Sequence, residues 1–145
     1  MIRKIFVCLI MSLMLISQAS AELQKFDRVS VNVPKGWHAE QQRNTVVLKS
    51  ANSEASMEIL LAEIGDSELS DVVEKLYIER EGVDLEEDDD GDYSFSFKDS
   101  SGAESIALIT GTDNYYLLVS MTGFENESIQ PDLESILESI DWENK

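Results

Sequence analysis

The stretch SMEILLAEI, residues 56–64, decides the fold. Met57, Ile59 and Leu61 alternate with Leu60, Ala62 and Ile64, so an extended chain would carry apolar groups on both sides. A half-solvated strand needs only one apolar face; this one belongs inside a sheet that is covered on both. Two covering layers must therefore exist elsewhere in the chain.

Both are legible as helices. Leu69, Val72, Val73, Leu76, Tyr77 and Arg80 follow the i, i+3, i+4, i+7 spacing, with Ser67 or Ser70 to cap the start and Gly82 to end it. A second helix is predicted from about Pro131, a residue suited to a first turn because its missing N–H costs nothing there, with Ile129 as a staple before it. Leu133, Ile136, Leu137 and Ile140 form its apolar side, and Asp132, Glu134, Glu138 and Asp141 the other. Trp142 is placed at the end of this helix, packing it down.

The remaining segments read as strands. VSVNV sets Val29, Val31 and Val33 on one side and is ended by PKGW; TVVLKS follows. After the first helix, Tyr93, Phe95 and Phe97 alternate with Ser94 and Ser96, KDSSGA turns, ESIALIT is a strand, GTDN turns again, and YYLLVSMTG is the last strand. The predicted class is α+β: an antiparallel sheet of about six strands, a meander in its second half, with an amphipathic helix on each face.

Residues 1–21 read as a signal peptide and are set apart from the fold. Arg3 and Lys4 precede a thirteen-residue apolar core, IFVCLIMSLMLIS, and Ala19, Ser20 and Ala21 supply the small residues of a cleavage site between Ala21 and Glu22. The core is shorter than the roughly 18 apolar residues of a spanning helix, so no stable membrane insertion is expected after cleavage. Cys8 lies inside that core behind bulky Phe6 and Val7, a poor setting for lipid attachment. It is the only cysteine, so residues 22–145 form no disulfide and no thiolate metal site. They are expected to be a single domain of periplasmic or secreted location.

Charge narrows the function. The leader takes two of the eleven basic residues and none of the 29 acids, leaving nine against 29, a net charge of −20. Such a field repels nucleic acid and anionic lipid, keeps a protein soluble, and favours basic partners or divalent ions.

The segment FDRVSVNVPKGW, the helix after three strands, the meander and the terminal LESILESIDW resemble the PsbP-like superfamily, which includes the photosystem II extrinsic protein, the Mog proteins and bacterial envelope proteins of the DcrB type. The resemblance spans nearly all of residues 22–145, though its motifs are short. It implies a PsbP/Mog-like α-β-α sandwich and a non-enzymatic binding or assembly role. It lends no catalytic residue, and the partner-contacting residues of the eukaryotic members have no counterpart here.

The residues themselves offer little chemistry. His38 is the only histidine, and no GxSxG accompanies it; a hydrolase would need His38 in a pocket beside a serine or carboxylate. Carboxylate pairs are inevitable among 29 acids and specify nothing. No glycine-rich phosphate loop and no basic patch with interleaved aromatics occurs.

One run stands out. DLEEDDDGD, residues 84–92, holds seven carboxylates in nine residues. With Gly91 at the bend of an EF-hand loop, Glu86, Asp88 and Asp90 occupy the first three ligand positions, but the twelfth, which must be a bidentate glutamate, is Phe97. The run fails as an EF-hand. An irregular calcium site using Glu86, Asp88, Asp90 and Asp92 remains as one reading, and a solvated turn, which favours Asp and Gly for backbone reasons, as the other.

The expected function is that of an exported soluble binding or accessory protein of the bacterial periplasm or envelope. It is expected to hold no cofactor and to recognise a protein partner, a basic one by charge complementarity. Candidate contacts are Trp37 and His38 after the first strand, and Glu86, Glu87, Asp88, Asp89 and Asp90 for acidic steering. A calcium-responsive module and a small hydrolase using His38 are the alternatives. The oligomeric state is left open.

Overall fold

The computed structural model describes residues 21–142. In chain order its elements are β1 (Glu22–Phe26), β2 (Val29–Val33), β3 (His38–Gln42), β4 (Thr45–Lys49), β5 (Ser56–Glu63), α1 (Leu69–Glu79), β6 (Val83–Glu87), β7 (Tyr93–Lys98), β8 (Glu104–Gly111), β9 (Tyr115–Thr122), α2 (Gln130–Ser139) and β10 (Asp141–Trp142). The expected signal peptide lies outside the described residues, except for Ala21.

Seven strands form one antiparallel sheet in the order β3-β4-β5-β9-β8-β7-β6, so the main sheet has seven strands rather than six. β5 sits inside it between β4 and β9, as its two apolar faces require. Met57 and Ile59 are fully buried in one apolar cluster, while Leu60 packs against a second cluster on the opposite face. The meander β7-β8-β9 is present as read.

The two faces are covered differently. Over one, α1 contributes Val73, with Leu69, Leu76 and Tyr77, against Phe95, Phe97, Ala107, Ile109 and Leu118. Over the other lie Leu133 and Ile136 of α2 together with Val29, Val31 and Val33 of β2. VSVNV therefore belongs to a separate three-stranded sheet, β1-β2-β10, and the second layer is a helix plus this small sheet. Its side-chain alternation does bury one face, as predicted, but alternation carries no information about which sheet a strand joins.

Element ends also differ. HAEQQ forms β3, an edge strand with no buried residue, which hydropathy could not reveal. VDLEE forms β6 at the opposite edge, so half of the acidic run is strand. Glu68, not Ser67 or Ser70, caps α1, and its N–H donates to Asp71 Oδ2 at 3.1 Å. α2 begins at Gln130 with buried Ile129 as its cap residue, and Glu134 lies on its buried side. The chain turns extended at Ile140, so Trp142 leaves the helix and pairs with Val29 in β10.

Candidate functional site

Trp37 and His38 are neighbours in sequence but not in environment. The Trp37 indole packs against the cluster beneath α2, and its Nε1–H donates to Asp132 Oδ2 of that helix at 3.0 Å. A half-buried tryptophan tied to the first turn of a helix is a brace between layers rather than an open anchor. His38 begins β3 on open surface; its side chain is 81% exposed and its ring lies 3.9 Å from Glu40. An imidazole so exposed stands on open surface rather than enclosed beside a serine or carboxylate.

The acidic residues sit at the far edge of the main sheet. β3 and β6 are six strand spacings apart, roughly 29 Å at ~4.8 Å each. The two groups of candidate contacts therefore cannot form one small site. Glu86 and Glu87 are exposed on β6 opposite Ser94 and Tyr93, and Asp89 and Asp90 are exposed in the turn that follows. Burial pushes the Tyr93 phenol up, and the charge of Glu87 adds to that shift.

That turn explains much of its own composition. Asp88 Oδ1 accepts from the N–H groups of Asp90 at 2.8 Å and Asp92 at 3.0 Å, the Asp88 N–H donates to the Asp92 carbonyl, and Gly91 takes φ 81°. The β7–β8 turn repeats the arrangement without an acidic run. Asp99 Oδ1 accepts from the Ser101 hydroxyl and from the N–H groups of Ser101 and Ala103, the Asp99 N–H donates to the Ala103 carbonyl, and Gly102 takes φ 84°. These bonds, the Ser101 hydroxyl first, hold the Asp99 carboxyl below the usual carboxylate range. DDDGD and DSSGA thus share one turn, built by a leading Asp and a Gly three residues on. Among the described residues, no group of three or more His, Cys, Asp or Glu side chains is disposed to hold a metal ion. Glu86, Asp88, Asp90 and Asp92 are not such a group, because Asp88 is committed to the turn and Asp92 is 4% exposed beneath it.

A different site appears on the face carrying α1. The helix covers the apolar rung Leu60, Leu118, Ile109 and Tyr93 but ends before the last rung of the sheet. That rung reads His38, Lys49, Ser56, Thr122, Ser105 and Phe97 across six strands, since residues paired across an antiparallel ladder share a face. Next to it stand Glu58 and Ser120. The result is a polar ledge, with a pocket of about 460 Å³ floored by Ser56, Glu58, Ser105, Ser120 and Thr122.

Arg80, the C-cap residue of α1, hangs over this floor. Its Nη1 donates to Ser120 Oγ at 2.9 Å, and its guanidinium lies 5.0 Å from the centre of the Phe97 ring. Ser105 and Thr122 share a hydrogen bond of 2.8 Å beneath it. Sequence reading missed this site because each hydroxyl looks like an ordinary polar strand position. The signal was available in parity: Ser105, Ser120 and Thr122 fall on the side of β8 and β9 that otherwise carries Ala107 and Leu118.

No family model matches the chain, and no curated protein sequence matches it. Among solved structures it is similar to cyanobacterial PsbP (CyanoP) from Synechocystis sp. PCC 6803, with a TM-score of 0.62 and 14% identity over 86% of this chain and 94% of that one. It is also similar to a protein from Bacteroides thetaiotaomicron VPI-5482, with a TM-score of 0.55 and 16% identity over 87% of this chain and 49% of the other. At these identities the likeness concerns the fold, which is PsbP-like.

Proposed function

We propose that this is an exported, non-catalytic accessory protein of the PsbP, Mog and DcrB-type kind that recognises a basic segment of a protein partner through the acidic edge of its main sheet. The observation that carries this reading is the placement of Glu86, Glu87, Asp89 and Asp90. All four are exposed along one open sheet edge and its adjoining turn, where the backbone of β6 has a partner strand on one side only. Carboxylates so grouped attract lysine and arginine from a distance and speed encounter, an effect that fades as salt rises. A PsbP-like fold is consistent with an accessory, non-catalytic protein. Among the described residues, no helix is long and apolar enough to cross a membrane. Cleavage after Ala21 would place Glu22, the first residue of β1, at the mature N-terminus.

The test is affinity capture from a periplasmic and membrane extract with the tagged protein, repeated with Glu86→Gln, Glu87→Gln, Asp89→Asn and Asp90→Asn combined. Asp88 is left in place because it holds the turn. We expect a specific protein retained at low salt, shed at high salt, and lost by the combined variant. A partner held equally by both forms, or none held at either salt, would remove the acidic edge from the reading.

A further inference from the structure

We propose that the polar pocket beyond the C-terminal end of α1 binds a small basic α-amino acid, its carboxylate on Arg80 and its ammonium groups on the carboxylates of the rim. The pocket shares no residue with the acidic edge, so this inference and the partner reading can fail separately.

The volume, about 460 Å³, suits a small ligand. The charge pattern specifies which kind. Arg80 is half-buried and doubly positioned, by the Ser120 hydroxyl and the Phe97 ring, yet neither contact neutralises it. Among the described residues, no carboxylate comes within ion-pair reach of its guanidinium. In a chain with 29 acids and eleven bases, this is an unusual state for an arginine whose pocket is also lined by Glu58, Glu79 and Glu81. A guanidinium carries five N–H donors in a planar fork, and a carboxylate engages two of them side by side.

The rim selects the rest of the ligand. Glu58, Glu79, Glu81 and Asp99 face the pocket against Arg80 and Lys98, four negative groups to two positive. The C-terminal end of α1 adds partial negative charge. A polyanion such as a phosphate ester would meet this excess, and a plain diamine would leave Arg80 unanswered. One carboxylate with two cationic groups fits both demands, which is the charge pattern of lysine, ornithine or arginine. The floor hydroxyls of Ser56, Ser105 and Thr122 can donate or accept as the ligand requires, and the Phe97 ring offers an apolar wall for the methylenes.

Isothermal titration of the purified protein with L-lysine and L-arginine tests this, with cadaverine, L-alanine and L-glutamate as controls and amide chemical shifts to locate the site. We expect saturable binding of at least one basic amino acid, with shifts centred on Ser105, Ser120 and Thr122. Cadaverine, which lacks the carboxylate, should bind at least tenfold more weakly, and L-glutamate weaker still. Arg80→Gln should weaken binding at least tenfold. Glu58→Gln, at an exposed position that leaves the fold intact, should weaken it severalfold and decides the matter if Arg80→Gln does not fold. No saturable heat with either basic amino acid, equal binding of cadaverine, shifts centred elsewhere, or unchanged affinity in Glu58→Gln would each overturn the proposal.

Discussion

Glu81 and Gly82 hold each other's expected places at the end of α1. The Glu81 N–H donates to the Ile78 carbonyl and the Gly82 N–H to the Tyr77 carbonyl at 2.8 Å, the paired bonds of a helix stop in which the first residue past the cap turns left-handed. That residue is Glu81, at φ 52°, where glycine is the usual occupant. Gly82 is needed for a different reason: a Cβ there would lie 2.6 Å from Tyr77 Cδ2 and 2.8 Å from Phe95 Cδ2, inside an edge-to-face ring pair. Glu81→Gly is therefore expected to raise stability by about 0.5–1 kcal/mol in urea melts, since a left-handed side chain costs roughly 1 kcal/mol or more. Gly82→Ala should lower it by about 1–3 kcal/mol through overpacking. Equal effects of the two changes would contradict this account. At Glu134, burial raises the carboxyl above its ordinary range and the charge of Glu138 adds to it. A carboxyl raised in the folded state contributes stability below its unfolded pKa and loses it as pH rises through the folded value. Glu134→Gln should therefore melt higher than the wild type at neutral pH, with the gap closing in acid; a gap that widens in acid would refute the assignment.

Among the elements, β6 shows how the acidic run serves the fold. It is the last strand of the main sheet, short, bulged between Val83 and Glu86, and exposed at every residue. Open edges invite pairing with other chains, and charge and bulges are two common ways to discourage it. Two apolar side chains, Val83 and Leu85, are nonetheless more than 40% exposed there, at 53% and 43%, so the carboxylates are the main deterrent. Glu86→Val with Glu87→Val should leave the melting temperature nearly unchanged but produce association beyond that of the wild type in light scattering. A double variant that scatters like the parent would show that the bulge alone protects the edge. At the same scale, the shared turn of DDDGD and DSSGA shows that the Asp88 carboxylate builds the turn, which is why the proposed binding variants spare it.

For the molecule as a whole, an excess of 29 acidic over eleven basic residues makes the folded state self-repelling. Sodium chloride is expected to raise the melting temperature by several degrees between low salt and about 0.5 M, as screening shortens toward a few ångströms. Calcium chloride at equal ionic strength should add nothing further. A larger shift in calcium would return Glu86, Asp88, Asp90 and Asp92 to consideration as ligands. The two apolar clusters lie on opposite faces of one sheet, and each helix is seated on its own cluster. The Trp37–Asp132 bond ties the β2–β3 connection to α2 across that packing.

Local periodicity determined the α+β class, both helices, the meander and the doubly buried strand β5, because burying one or both faces imposes a period that a short window displays. It could not assign β2 to the small sheet, since a strand with one apolar face satisfies either sheet. It could not find β3 or β6, whose membership rests on backbone hydrogen bonds to a neighbour rather than on hydropathy. Only the tertiary structure sent Trp37 and His38 to opposite faces, set His38 and the acidic run at opposite edges, and gathered Ser56, Ser105, Ser120, Thr122 and Arg80 into one pocket. Those groupings depend on strand register, and register is settled by pairing between distant segments, such as Ser56 of β5 with Thr122 of β9, which no local pattern encodes.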